Sequence, residues 1–174
     1  GVSVLLAILV MLSSVATWAV FAEGEFALTA VDGTAGNSGE GLDKLFDGDL
    51  ESKYCTMNDT AYVVAKLSSA QPINAYSLTS ADQSARDPAA WVFYGSNDGA
   101  NWTELDSRSG ESFAQRNFEM VYYFENTTEY LWFKLDITGN NGVDDFGLDI
   151  LQLAELSVAV EDSQEDTRIL VDTA

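Results

Sequence analysis

The chain has 174 residues, room for one ordinary domain with accessory segments, and 47% of them are hydrophobic, enough for a real core. Eight basic residues against 28 acidic ones give a net charge of −20, which argues against nucleic acid and anionic lipid, since both are gripped by clustered Lys and Arg. With no histidine and Cys55 as the single cysteine, the usual catalytic triads, zinc sites and any intrachain disulfide drop out.

Residues 1–21, GVSVLLAILVMLSSVATWAVF, carry no charged side chain. As a helix such a stretch spans about 30 Å, the thickness of a bilayer core. Three readings fit it. A secretory signal peptide normally opens with a basic stretch, and here the first Lys or Arg is Lys44, although Val20-Phe21-Ala22 has a small-residue cleavage pattern. A simple membrane anchor normally has flanking Lys or Arg, and none is near. The third reading is a filament subunit whose basic leader has been removed before Gly1, with Ser13, Ser14, Ala16 and Ala19 allowing close helix contact. In this the segment loosely resembles type IV pilin-like proteins. Leu5 stands where bacterial members usually carry Glu, a departure that archaeal-type subunits often share. The resemblance implies self-association through the helix, passage through the membrane before assembly, and a place in a cell-surface filament.

From Glu23 to about Val160 the pattern is all-β. Expected strands cover Phe26 to Val31, Thr60 to Leu67, Ile73 to Ser80, Trp91 to Ser96, Trp102 to Ser107, Val121 to Phe124, Tyr130 to Ile137 and Leu151 to Val158. In Tyr130 to Ile137, Leu131, Phe133, Leu135 and Ile137 face one way while Trp132, Lys134 and Asp136 face the other, the period of a half-buried strand. Many short strands joined by turn-rich connections predict a sandwich. Residues 161–174 read as an acidic tail in which Ile169 to Val171 can dock or pair with a neighbour.

The stretch Trp91 to Arg108, WVFYGSNDGANWTELDSR, reads as strand, tight turn, strand. With the rest of the chain it resembles the coagulation-factor type C (discoidin) family, in which Y-G-S-N-D-G-x-N-W-T is a frequent hallmark, and the carbohydrate-binding modules attached to glycoside hydrolases. That resemblance implies an all-β, galactose-binding-like jelly-roll sandwich over residues 23–160. The long hydrophobic N-terminal α-helix (1–22) would precede it and the acidic tail (161–174) would follow.

Lys44-Leu-Phe-Asp47-Gly48-Asp49-Leu-Glu-Ser52-Lys-Tyr54 resembles the family's metal loop, and Leu151-Gln-Leu-Ala154-Glu155-Leu its C-terminal signature. The resemblance implies a structural Ca²⁺ held by carbonyls of Lys44, Asp49, Ser52 and Ala154 and by the side chains of Asp47 and Glu155. A hard ion taking six to eight oxygens suits a tight Gly-containing loop. The bland alternative is an Asp-Gly turn beside a surface Glu. Tyr54 replaces the usual Trp and is expected to plug the loop onto the core.

In carbohydrate-binding relatives the sugar sits on loops at one end of the sandwich. The corresponding loops are Thr34 to Gly41, Cys55 to Asn58, Ala81 to Ala89, Gly110 to Asn117 and Gly139 to Gly147, and they supply Asp82, Arg86, Arg116, Asn140, Asn141 and Phe146 as ligand-binding candidates. Arg and Asn offer forked donors and paired donor–acceptor groups to hydroxyls. The rival role for either Arg is an ion pair with one of the abundant carboxylates. Asn58, Asn101 and Asn126 head N-glycosylation sequons.

Nothing in the sequence singles out a catalytic pair of carboxylates. The expectation is therefore a non-catalytic cell-surface protein: a pilin-like filament subunit with an outward discoidin-like head for adhesion or glycan binding. The alternative is an anchored or secreted carbohydrate-binding module that forms no filament.

Overall fold

The computed structural model describes residues 25–161. The expected helix over residues 1–22 and all of the tail but Glu161 lie outside the described residues. Two antiparallel sheets face each other. One has the order β1 (Glu25–Phe26), β11 (Glu155–Ala159), β5 (Ala75–Thr79), β8 (Glu119–Tyr123). The other has the order β2 (Thr29–Gly33), β4 (Ala61–Gln71), β9 (Tyr130–Asn140), β6 (Pro88–Ser96), β7 (Thr103–Ser109). A short pair, β3 (Tyr54–Thr56) with β10 (Leu151–Leu153), completes the all-β sandwich.

Alternation places the core between the sheets. In β9, Phe133, Leu135 and Ile137 are buried while Trp132, Lys134 and Asp136 are only partly covered, as the sequence period requires. Aromatic rings fill the centre: Tyr76 stacks on Phe93 at 4.4 Å between centroids, and Phe93 on Phe133 at 5.6 Å. A buried indole N–H needs an acceptor. Trp91 Nε1 donates to the Tyr76 hydroxyl at 2.8 Å, which in turn donates to Asp106 Oδ2 at 2.7 Å.

Two expected strands each divide. Phe26 to Val31 becomes β1 and β2, which pair with β11 and β4 in different sheets. Leu28 is tucked into the core at the crossover. Leu151 to Val158 becomes β10 and β11, and at the break the Ala154 N–H donates to the Thr79 carbonyl at 2.9 Å. In Leu151 to Val158 the apolar residues on both sides of the break are buried, which hides the change of partner.

The hairpin between β6 and β7 shows why its sequence is so specific. The Asp98 carboxylate accepts from the N–H groups of Ala100 and Asn101 at 2.9 and 2.7 Å and from the Asn101 amide at 2.7 Å. Ser96 Oγ accepts from the N–H groups of Asp98 and Gly99. Gly99 has φ +68°, and a Cβ there would lie 3.4 Å from the Trp132 ring.

Candidate functional site

A short 3₁₀ helix, Leu42–Phe46, buries Leu45 and delivers the chain into the Asp47 loop. Gly48, at φ +71°, turns the loop back. Asp47 is its hub: Oδ1 accepts from the Asp49 N–H at 3.0 Å, and Oδ2 accepts from Ser52 Oγ at 2.8 Å and Lys44 Nζ at 3.0 Å. The Asp49 N–H, with Lys44 and Ser52, holds the Asp47 carboxyl down at about 2. Tyr54, fully buried, seats the loop and donates to the Thr34 carbonyl at 2.9 Å.

Glu155, at the start of β11, meets this loop from the other side. Burial, then the adjacent Asp47 charge, pushes its carboxyl up to about 7, against the pull of the Gly48 and Asp49 amides. Its Oε1 is buried with no hydrogen-bond partner. A buried, unpartnered carboxylate oxygen beside a second carboxylate marks a shortage of positive charge. Among the described residues no three His, Cys, Asp or Glu side chains gather as ligands, so a cation here would depend on main-chain carbonyls as well. Lys44, Asp49 and Ser52 lie in the loop itself and Ala154 adjoins Glu155, so the donors are all oxygens and suit a hard ion.

The ligand-binding candidates gather around two buried acids that the sequence reading did not select. The Arg116 fork grips Asp87, with Nη1 to Oδ1 at 2.8 Å and Nη2 to Oδ2 at 2.7 Å, and also donates to the carbonyls of Ala81 and Phe113. Burial pushes the Asp87 carboxyl up, and Arg116 opposes that shift. Arg86 donates from Nε at 2.8 Å and from Nη2 at 2.6 Å to Asp144 Oδ2. The Leu148 N–H, together with Arg86 and the Phe146 N–H, holds the Asp144 carboxyl below its ordinary range. Both arginines are thus committed to ion pairs, the rival role foreseen for them. The only advance signal was general: two arginines in so acidic a chain will find carboxylates.

The other candidates hold the same loops together. The Asn140 amide donates to Asp149 Oδ1 at 3.0 Å and the Ile150 carbonyl at 2.8 Å, while its oxygen accepts from the Gly142 N–H. Asn141 donates its backbone N–H to the Asp87 carbonyl at 3.1 Å. Asp82 accepts from Lys53 Nζ at 3.3 Å. Among the described residues Phe146 is the most open large apolar side chain, 73% exposed, with Val143 at 62% on the same loop. Several predicted loop ends prove to be strand: Cys55 and Thr56 lie in β3, Pro88 and Ala89 in β6, and Gly139 and Asn140 in β9.

Between these loops lies a cleft of about 320 Å³ lined by Ser84, Ala85, Asp87, Ser112, Phe113 and Asn141. Ser84, Ser112 and Phe113 were passed over in the sequence because small polar and buried aromatic residues in loops carry no signal of their own. Of the sequon residues, Asn101 and Asn126 have their amides tied into turns, the latter also to the Ile73 carbonyl at 2.8 Å, whereas exposed Asn58 reaches only Thr56 Oγ1 at 3.1 Å.

Residues 28–149 match the model of the F5/8 type C domain. The fold is similar to CBM32-3 from a family 31 glycoside hydrolase of Clostridium perfringens, at 16% identity and a TM-score of 0.67 over 78% of this chain and 92% of that one. It is also similar to the family 32 carbohydrate-binding module of Streptococcus pneumoniae EndoD, at 12% identity and a TM-score of 0.66 over 79% and 99%. A third similar fold is the family 32 module of C. perfringens NanJ, solved in complex with galactose, at 15% identity and a TM-score of 0.62 over 78% and 97%. No match to a curated protein was found.

Proposed function

This chain belongs to the F5/8 type C domain family, and from that membership we propose that it is a non-catalytic, extracellular carbohydrate-binding module. The observation that carries the reading is the cleft at one end of the sandwich, on the loops that also carry the exposed Phe146 ring. Phe113 lines the cleft with the polar groups of Ser84, Ser112 and Asn141, and an apolar ring beside hydroxyl and amide groups is the chemistry a sugar requires, since pyranose faces are apolar and their edges polar. No cation lines the cleft, and Arg86 and Arg116 are already paired. Neutral sugars therefore suit it better than acidic ones. The filament reading rests on residues 1–22, outside the described residues, and the module reading is the better supported of the two.

We also propose that the Asp47 loop and Glu155 hold a structural Ca²⁺. The support is the orphaned Glu155 oxygen facing a second carboxylate among oxygen donors. The ion would neutralise that pair and tie the loop to β11.

A glycan array followed by calorimetry with galactose and N-acetylgalactosamine tests the sugar reading. Phe146→Ala and Asn141→Ala are expected to weaken binding about tenfold, roughly 1.4 kcal/mol, with the melting temperature unchanged. Failure to bind any neutral glycan, or equal binding by both variants, overturns it.

A further inference from the structure

Asn141 and Gly142 form the one Asn-Gly pair in the chain. In such a pair the side-chain amide is open to attack by the next backbone nitrogen, because glycine places no Cβ beside that nitrogen. Asn141 is exposed and lines the cleft, and among the described residues its side-chain amide makes no hydrogen bond. Gly142 has φ +104°, and a Cβ built there would meet nothing within 4 Å.

One contact opposes the reaction. Asn140 Oδ1 accepts from the Gly142 N–H at 2.9 Å, closing a turn over Asn141. The Asn140 amide nitrogen is itself fixed by Asp149 Oδ1 at 3.0 Å and the Ile150 carbonyl at 2.8 Å, so the accepting oxygen is held in place. On the other flank the Asn141 N–H donates to the Asp87 carbonyl at 3.1 Å.

We propose that Asn141–Gly142 is a deamidation site in the wall of the cleft, and that the Asn140 side-chain oxygen holds it closed while the protein is folded. The step needs only water. Solvent base removes the Gly142 N–H proton, and the nitrogen adds to Asn141 Cγ, forming a new C–N bond. The Cγ–Nδ2 bond breaks, the leaving nitrogen takes a proton from water and departs as ammonia, and a cyclic imide remains. Water then adds to either imide carbonyl and breaks its bond to the ring nitrogen, giving aspartate or isoaspartate; nothing is oxidised or reduced. While Asn140 holds the N–H, that hydrogen bond must open before the first proton can leave. The product carries a carboxylate where the cleft had a neutral amide, and isoaspartate also lengthens the backbone by a methylene. The chemistry is independent of the glycan reading, and only its effect on sugar binding rests on that reading.

Mass spectrometry of the full chain aged at mildly alkaline pH tests it, with ammonia loss and isoaspartate mapped to the peptide that holds Asn141. Asn140→Ala is expected to deamidate about tenfold faster than the unaltered chain, the worth of one hydrogen bond, and the urea-unfolded chain at least as fast as that variant. Asp149→Ala loosens the loop without freeing the Gly142 N–H and should stay near the unaltered rate. Equal rates in the folded and urea-unfolded chain overturn the proposal, as does an unaltered rate in Asn140→Ala. Acceleration by Asp149→Ala to the same degree also overturns it, because protection then comes from the rigidity of the loop and not from the Asn140 oxygen. Should Asn140→Ala fail to fold by circular dichroism, hydrogen exchange at the Gly142 amide of the unaltered chain decides. Slow exchange is expected there, and exchange at the unprotected rate overturns the proposal.

Discussion

Two acidic regions of this molecule differ in how their charge is balanced. Around Asp87 and Asp144, each buried carboxylate meets a guanidinium at hydrogen-bond distance, and Arg116 also satisfies the carbonyls of Ala81 and Phe113. Around Asp47 and Glu155, the lysine pairs with Asp47, and a buried Glu155 oxygen has no partner. The first arrangement is internally complete, so its arginines brace loops and have little left to offer a ligand. The second leaves one buried oxygen without a partner, and the proposed Ca²⁺ is what would complete it.

The largest expected effect comes from breaking the complete region. Arg116→Ala leaves Asp87, with its side chain 1% exposed, as an uncompensated buried acid. We expect a loss of about 3 kcal/mol in urea unfolding, the low end for a buried pair because Arg116 is itself partly exposed. Stability retained together with glycan binding lost would reverse the comparison and make Arg116 a ligand group.

Next in size is completion of the other region. With free Ca²⁺ at a hundred times its dissociation constant, the native state should gain about 2.7 kcal/mol, read as a higher melting temperature. Asp47→Ala and Glu155→Ala should each abolish the gain. A melting curve indifferent to chelator removes the ion from the picture and leaves the Glu155 oxygen unexplained.

How much of this was readable in advance follows from how local each signal is. The Ser96–Asn101 turn is specified by its own residues, with Asp98 and Ser96 bonding the backbone N–H groups beside them, so the sequence announced it. The Asp47 loop was legible for the same reason, and Glu155 only through a signature remote in sequence. The division of Leu151 to Val158 between two sheets was not legible, because Leu151, Leu153, Leu156 and Val158 are all buried on either side of the break. Nor were Asp87 and Asp144: their partners lie 29 and 58 positions away, and nothing near them distinguishes them from the other acidic residues. The cleft is lined from three of the five loops singled out, while Arg86 and Arg116 were chosen by residue type; an ion pair was foreseen as their rival role, but not which carboxylates would take it.

The smallest expected effect separates the two paired acids from each other. Asp144 is held below the ordinary carboxylate value of 3.8 by the Leu148 N–H, Arg86 and the Phe146 N–H. Its folded form therefore binds fewer protons than the unfolded chain near pH 4, so its contribution is present above that pH and is lost as pH falls below it. Asp87 is displaced the opposite way by burial, so its term favours the fold at low pH and fades as pH rises through its raised value. Urea unfolding at several pH values between about 2 and 5 reads both signs. Asp144→Asn should flatten the acid decline, whereas Asp87→Asn should steepen it by removing the opposing term. If Asp144→Asn left the slope unchanged, the Arg86 pair would contribute nothing that depends on the acid's charge, and the loop bearing Phe146 would owe its position to backbone hydrogen bonds alone.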